Sequence, residues 1–153
     1  MSLAELLSGA ELVVPEMKAT DRWEAIDELV DLLVKARRVK EQDRSAVALI
    51  LKRRESSMST GIGFGIGMPH ASTDCITDAL GALGRSSKGV DFASLDNQPV
   101  HLVFLFLAPQ GQFQKHMHTL ARVAALLHSA GLREAIFNAG TAEEILCVIH
   151  QET

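Results

Sequence analysis

The sequence has few of the features that mark secreted, membrane-spanning or nucleic-acid-binding proteins. It contains two cysteines, Cys75 and Cys147, whose spacing matches no zinc or redox motif. Isolated thiols of this kind are usual in a reducing compartment. The N-terminus, Met-Ser-Leu-Ala-Glu, shows no secretory signal, since it has neither a basic start nor a long apolar run. We therefore expect a cytoplasmic protein.

Long apolar runs and basic clusters are also scarce. The longest apolar stretch, residues 102–108, is far shorter than the roughly 20 residues that cross a membrane. The formal net charge is −4, and the longest basic cluster is Lys52-Arg53-Arg54. Because binding to a nucleic-acid backbone needs more clustered Lys and Arg than this, nucleic acid is excluded as the main partner.

The composition indicates one domain spanning residues 1–153. The 153 residues are 47% hydrophobic and 22% charged, which suits a sizeable core with an ordinary wet surface. Repeats, linkers and low-complexity segments are absent from the sequence.

Helical patterns flank a strand-rich middle. Ser2 with Glu5, Asp21 with Glu24, and Thr141 with Glu144 have the spacing of helix N-terminal caps. Apolar spacing predicts helices at 21–34, 43–54, 114–129, 132–138 and from 141 onward. Strands are predicted at 12–14, 78–85 and 100–107, and the nearly unbroken apolar run of the last is typical of a central strand covered on both faces. The sequence therefore predicts an α/β fold with a mixed β-sheet between helical layers.

The segment from Arg54 to His70 has an unusual glycine pattern. Glycines at 61, 63, 65 and 67 alternate with larger, mostly apolar residues. This alternation predicts one extended strand with one face buried, and the missing side chains allow other groups to approach the backbone closely. Neither the phosphate-binding P-loop nor the dinucleotide fingerprint fits the spacing, so nucleotide binding is excluded.

His70 is the candidate reactive residue of this segment. Pro69 before it restricts the backbone and has no N–H. A neutral imidazole held in this way is a reasonable nucleophile near neutral pH. A histidine that only ends a strand fits the residues equally well, and composition alone leaves both alternatives open.

A second pair of histidines, His116 and His118, lies at the start of a predicted helix. At about 100° per residue, His116 falls beside the apolar stripe and can face a cleft, whereas His118 points toward solvent. A zinc hydrolase built on His70, His116 and His118 is an alternative. It is the weaker one, because His118 faces away and no carboxylate stands where a general base is expected.

Several short motifs together resemble the IIA domain of the fructose/mannitol-type phosphotransferase system. They are Arg54-Glu55, Ser59-Thr60-Gly61-Ile62-Gly63, Gly65-Ile66, Pro69-His70, Asp96-Asn97-Gln98-Pro99-Val100 and His116-x-x-x-Leu120. Three of these motifs, Ser-Thr-Gly-Ile-Gly, Asp-Asn-Gln-Pro-Val and His-x-His-Thr-Leu, are most similar to those of the nitrogen-related IIA proteins, which act mainly in regulation. Gly67-Met68, Phe64 and Ala71 depart from the usual pattern without removing a reactive group.

The resemblance implies a role for each motif. His70 would be phosphorylated by a small phosphohistidine carrier protein of the HPr or NPr kind, without a metal or other cofactor. His116 would hydrogen-bond to the phosphoryl oxygens, and Arg54 would lie near the site. Thr60 and Gly61 would line it with hydroxyl and backbone N–H donors. Three apolar residues, expected to be exposed, are the candidate docking contacts for the partner protein: Ile62, Phe64 and Met68.

The resemblance leaves the downstream partner open. In a nitrogen-related branch it would be a regulatory target protein. In a sugar-specific branch it would be a IIB domain of a fructose/mannitol-type permease. A pure binding module that uses phosphorylation as a switch, and an orphan domain that has lost the chemistry, are further alternatives. The intact set of Arg54, Thr60, His70 and His116 argues against the orphan.

Overall fold

The structure, a computed structural model, describes residues 1–152. In this range the chain forms six α-helices and one mixed six-stranded sheet, which confirms the predicted fold class. The helices are α1 Leu3–Leu6, α2 Arg22–Lys35, α3 Arg44–Ser57, α4 Met117–Leu127, α5 Ala130–Asn138 and α6 Ala142–Glu152. The strands are β1 Val13–Val14, β2 Gly61–Gly63, β3 Ile66–Gly67, β4 His70–Thr73, β5 Leu80–Val90 and β6 Val100–Pro109.

The long strand β6 organises the sheet. β5 pairs with it antiparallel on one side, and β1 extends the sheet beyond β5 in parallel. On the other side, β3 and β4 both pair with β6 in parallel, one after the other. Met68 and Pro69 separate these two short strands. Pro69 still takes part in the sheet, since its carbonyl accepts the Phe106 N–H at 3.0 Å.

The apolar run of β6 is buried on both faces, as predicted, with residues 102–108 fully inaccessible to solvent. Helix α2 packs on β5 and β6, and α3 packs on α2 and on β4. Helices α1 and α6 contact each other. Helix α1 also contacts β5, and α6 contacts β1. Burying such a strand is the main stabilising contribution in this part of the core, because apolar area removed from water contributes about 25 cal/mol per Å².

The three predicted helix caps are confirmed, but several element bounds differ from the prediction. Helix α4 begins at Met117 rather than at residue 114, and α5 begins at Ala130 rather than at residue 132. Ser2 and Glu5 form a full capping box, and Asp21 accepts the Glu24 N–H at 2.9 Å. Helix α3 continues to Ser57 rather than ending at Arg54, because the seryl hydroxyls at its end bond back to carbonyls of the preceding turn. Strand β5 runs to Val90 rather than to residue 85.

The glycine segment is a hairpin, so the prediction of one extended strand was wrong. β2 turns back and pairs antiparallel with β3. Gly63, Phe64 and Gly65 at the turn all have positive φ, at 90°, 56° and 76°, which is the backbone region that glycine enters without steric cost. A Cβ at Gly67 would lie 2.9 Å from the Phe92 ring. Close packing by the β5–β6 connection therefore accounts for part of the pattern.

Candidate functional site

His70 begins strand β4 and is half-buried, in register with Phe106 of β6. Its Nδ1 lies 2.7 Å from the Met68 carbonyl oxygen. Because a carbonyl can only accept, Nδ1 carries the proton and donates to Met68. The other ring nitrogen, Nε2, then keeps its lone pair. The backbone thus selects the tautomer in which Nε2 is unprotonated and available for nucleophilic attack.

Burial lowers the pKa of His70 below its ordinary value of 6.5. The bond to Met68 and the charge of Glu55 act in the opposite direction, and the positive charge of Arg54 lowers the pKa further. Desolvation is the largest of these effects, because a buried imidazolium loses its hydration. The ring is therefore neutral at pH 7, as nucleophilic attack requires.

Two shallow cavities meet at His70. One, of about 350 Å³, lies between α3, the hairpin and α4, and its walls are almost entirely apolar. The other, of about 410 Å³, lies toward Phe113. Arg54 and His70 line both. A larger cleft of about 690 Å³ at the C-terminal end of α2 contains none of the predicted site residues.

Arg54 projects from the last turn of α3 toward these cavities. One guanidinium N–H donates weakly to the Met58 carbonyl oxygen at 3.4 Å. Its remaining donors have no partner among residues 1–152. A guanidinium with unused donors beside a neutral imidazole can bind the oxygens of a phosphoryl or carboxylate group in a fork.

Thr60 lines one of the cavities at His70 and Gly61 lines neither, and the predicted donors of both are already engaged. The Thr60 N–H and hydroxyl both donate to the Glu55 carboxylate, at 2.8 and 2.5 Å. The Gly61 N–H donates to the Ser59 hydroxyl at 3.1 Å. The expectation that these groups present free donors was therefore wrong. The reason is the buried carboxylate of Glu55, which needs donors of its own.

The predicted docking residues divide into exposed and buried. Ile62 and Phe64 are 38% and 68% exposed, whereas Met68 is only 4% exposed. The expectation of an exposed Met68 was wrong, because Met68 immediately follows the paired strand β3 and packs into the core. It contributes to the cavity wall beside His70 instead.

His116 and His118 face different ways, as predicted. His118 is exposed. His116 is 8% exposed and stands edge-on to the Phe106 ring, with centroids 5.8 Å apart. Burial lowers the pKa of His116, so it is neutral at pH 7. His116 lines neither cavity at His70, although it contacts the partner residue of His70 in the sheet.

Among residues 1–152, no three His, Cys, Asp or Glu side chains come together as a possible metal site. The alternative zinc site on His70, His116 and His118 has no geometric support in this part of the chain. In the same range, no helix has both the length and the apolar character needed to cross a membrane.

Two site residues were missed by the sequence analysis. The Phe113 ring lies nearly parallel to the His70 imidazole, with centroids 5.8 Å apart and planes 14° apart. Glu55 is fully buried. Glu55 follows Val47 and Leu51 at intervals of four on the inner face of α3. A carboxylate within such an apolar stripe could have indicated from the sequence that Glu55 is buried. Phe113 precedes its helix and gave no such signal.

Residues 7–152 match the family model described as "Phosphoenolpyruvate-dependent sugar phosphotransferase system, EIIA 2". The chain is 37% identical over 151 residues to the fructose-specific EIIABC component of Bacillus subtilis, covering 99% of this chain but only 23% of that protein. It is 34% identical to the fructose-specific EIIA component of Haloferax volcanii, covering 94% of this chain and 92% of that one. It is 33% identical to a nitrogen regulatory protein of Bradyrhizobium diazoefficiens, with the same coverage, 94% and 92%.

Solved structures resemble the fold over nearly the whole chain. The nitrogen regulatory protein IIA-Ntr from Neisseria meningitidis matches with a TM-score of 0.84 and 27% identity, covering 96% of this chain and 98% of that one. The Escherichia coli complex of enzyme IIA-Mtl with phosphorylated enzyme IIB-Mtl matches with a TM-score of 0.77 and 20% identity, covering 94% and 96%. At that identity the second likeness concerns the fold alone.

Proposed function

Because the chain belongs to the EIIA 2 family of the phosphoenolpyruvate-dependent sugar phosphotransferase system, we propose that it carries a phosphoryl group on Nε2 of His70. The donor is the phosphohistidine of a small HPr-like or NPr-like carrier protein. The observation that supports this most directly is the hydrogen bond from His70 Nδ1–H to the Met68 carbonyl at 2.7 Å. It leaves Nε2 as the nitrogen with a free lone pair.

The transfer is an in-line displacement at phosphorus. The Nε2 lone pair forms the new P–N bond while the P–N bond of the donor histidine breaks, and the donor nitrogen keeps that electron pair. The His70 ring gains positive charge as the bond forms, and its proton stays on Nδ1. The bond to Met68 then becomes charge-assisted, and such bonds are roughly twice as strong as neutral ones.

Arg54 neutralises charge on the transferring oxygens. Phosphoryl transfer asks little covalent work of a protein, so positioning and charge stabilisation supply most of the rate. The unused donors of Arg54 lie beside both cavities at His70. His116 is retained as the second phosphoryl-binding histidine on the family resemblance. It packs edge-on against Phe106, the residue in register with His70 in the sheet.

The site suits a protein rather than a small molecule as donor. Its cavities are shallow, and two exposed apolar residues, Met58 and Ile62, line one of them. Phe64, at the tip of the same hairpin as Ile62, is also exposed. A partner that covers these residues excludes water from the reacting atoms, which strengthens every charge interaction there. Ile62 and Phe64 are the central docking contacts, and the buried Met68 contributes to the cavity wall beside His70.

For the downstream step, we propose a nitrogen-related regulatory branch in which phosphorylation alters binding to a target protein. The family-wide similarity to nitrogen regulatory proteins supports this. The second candidate is a sugar-specific IIA that passes phosphate to a IIB domain. It is favoured by the 37% and 34% identity to fructose-specific components.

Phosphorylation by phosphoenolpyruvate, the upstream phosphotransferase enzyme and the histidine carrier tests the proposal. Intact mass should show one acid-labile phosphoryl group. His70→Ala should abolish it, and His118→Ala, which changes an exposed histidine, should leave it in place. Labelling of His70→Ala at the wild-type level would refute the assignment.

The two downstream branches are separated by a second measurement. The phosphorylated protein is mixed with a purified fructose-type IIB domain, and loss of the phosphoryl group from this chain is followed by mass. Rapid, stoichiometric transfer to IIB supports the sugar-specific candidate. A phosphoryl group that stays on this chain supports the regulatory branch.

A further inference from the structure

A continuous series of hydrogen bonds joins the buried carboxylate of Glu55 to the imidazole of His70. Glu55 accepts both the N–H and the hydroxyl of Thr60, at 2.8 and 2.5 Å. The Thr60 carbonyl accepts the Met68 N–H at 3.0 Å. The Met68 carbonyl accepts His70 Nδ1–H at 2.7 Å.

All the connecting groups are shielded from water. Glu55 is 0% exposed, Thr60 5% and Met68 4%. Hydrogen bonds in such an environment are electrostatically stronger than in water, and bonds in series polarise one another. The negative end of the series is Glu55, which is further held by Arg22 at 3.4 Å. The other end of the series is the His70 imidazole, whose orientation matters for the reaction.

We propose that Glu55 and Thr60 are positioning residues that fix the tautomer and orientation of His70 through Met68. Thr60 holds the beginning of the hairpin against helix α3, and its carbonyl fixes the peptide of Met68. That peptide in turn presents its oxygen to Nδ1. This inference rests on the proposed role of His70 as phosphoryl acceptor, and it assigns to Thr60 a function other than contact with the phosphoryl group.

The geometry makes Thr60 the sensitive point of the series. Its two donors meet the two oxygens of one carboxylate, so the residue is held at two points and cannot rotate. Thr60→Val keeps the shape but removes the hydroxyl, leaving one buried carboxylate oxygen without its short bond. Thr60→Ser keeps the hydroxyl and removes only a methyl group.

The test uses two readouts on the full chain. The first is ¹⁵N NMR of the His70 ring at mildly alkaline pH, which reports directly which nitrogen carries the proton. The second is the rate of phosphorylation by the phosphorylated carrier protein. Thr60→Val should reduce the Nδ1–H population and slow phosphorylation about tenfold, since small misplacements of reacting groups have large kinetic effects. Thr60→Ser should restore both.

Thr73→Val is the matched control. Thr73 is also buried, at 3% exposure, and its hydroxyl accepts the Cys75 N–H outside the series. This variant should leave the His70 tautomer unchanged. Glu55→Gln should have a smaller effect than Thr60→Val, because its amide can accept the Thr60 N–H through the oxygen and donate to the Thr60 hydroxyl through the nitrogen, so that mainly the charge is lost.

The outcomes separate this inference from the proposed function. A Thr60→Val protein that keeps the wild-type tautomer and phosphorylation rate overturns the inference, whatever Glu55→Gln does. A wild-type chain that accepts no phosphate overturns the proposed function, and the NMR readout still decides whether Thr60 sets the tautomer. Should Glu55→Gln fail to fold, the Thr60 pair and the Thr73 control decide the question alone.

Discussion

Ser94 lies directly against Gly61, so that a Cβ on Gly61 would come within 2.1 Å of the Ser94 hydroxyl oxygen and 2.9 Å of its Cβ. The Ser94 hydroxyl has no hydrogen-bond partner within the described range 1–152. Its role there is therefore one of packing. This contact joins the β5–β6 connection to the first strand of the hairpin that leads to His70.

The contact predicts that Gly61→Ala destabilises the protein by about 1–3 kcal/mol, as overpacking in a filled site usually does. The hairpin and the β5–β6 connection must separate, because Ser94 cannot escape by side-chain rotation alone. Urea unfolding followed by circular dichroism measures the change. Adding Ser94→Gly should recover part of the stability.

Gly131→Ala is the control for this prediction. Gly131 lies in α5, and the nearest atom to an added Cβ is 4.0 Å away. Alanine there should be neutral or stabilising by up to about 1 kcal/mol, because it favours the helix. Equal effects at the two glycines would show that packing against Ser94 is unimportant.

The lowered pKa of His70 predicts how activity and stability depend on pH. Phosphorylation should be fastest where the ring is neutral and should fall as the pH drops below the folded-state pKa, which is under 6.5. Removing a positive charge by Arg54→Gln should raise this pKa. NMR titration of the His70 ring checks both statements, and a His70 pKa above 6.5 in the wild type would contradict them.

The lowered pKa of His70 also determines how the free energy of unfolding changes with pH. The unfolded chain binds a proton on this histidine at a higher pH than the folded chain does. The contribution of His70 to the free energy of unfolding is therefore fully present above the unfolded-state pKa and is lost as pH falls through the folded-state pKa. His70→Gln should flatten this part of the stability–pH curve, as measured by urea unfolding at several pH values.

Phe113 should contribute to the desolvation of His70 through its nearly parallel ring. Phe113→Ala admits water to the imidazole, so the pKa of His70 should move up toward its ordinary value. Phe137→Ala is the control, since that ring stands edge-on to His101 and is 43% exposed. NMR titration of both variants is the measurement. An unchanged pKa in Phe113→Ala would remove Phe113 from the site.

Phe64 at the tip of the hairpin offers a direct test of the docking surface. Its ring contacts His128 and Arg133, yet most of it is exposed. Phe64→Asn removes the ring while suiting the backbone, because asparagine tolerates the positive φ found there. We expect roughly tenfold weaker affinity for the carrier protein, as for a central interface residue.

Titration calorimetry with the carrier protein measures that loss. Leu49→Gln is the control: Leu49 is a half-exposed apolar residue of α3 outside both cavities at His70. It should bind as the wild type does. A Phe64→Asn protein with wild-type affinity would place the docking surface elsewhere.

The elements that sequence alone predicted are those governed by local rules. Asp21 caps its helix because its side chain reaches the Glu24 N–H, an interaction over three residues. Strand β6 is buried from Leu102 to Ala108 because this stretch of its own sequence is apolar throughout. The family resemblance, carried by motifs such as Pro69-His70, pointed to the phosphotransferase family that the comparisons then showed.

What the sequence did not predict depends on distant contacts. The alternating glycines predicted one extended strand, whereas the segment is a hairpin. Gly67 and Gly61 pack against Phe92 and Ser94, which are distant along the chain. The donors of Thr60 seemed available until the burial of Glu55 was known. Phe113 reaches His70 only because the chain after β6 returns over the sheet.

Strand β4 pairs with the central strand β6 from its first residue onward, so the backbone of His70 is bonded to the buried middle of the sheet. Loading or unloading it leaves the framework no easy way to rearrange. The two forms of the protein would then differ in electrostatic field more than in shape, since the net charge of −4 would become about −6. A partner that distinguishes the two forms has to do so through electrostatic interactions. The difference between its affinities for the two forms should therefore decrease as the salt concentration rises.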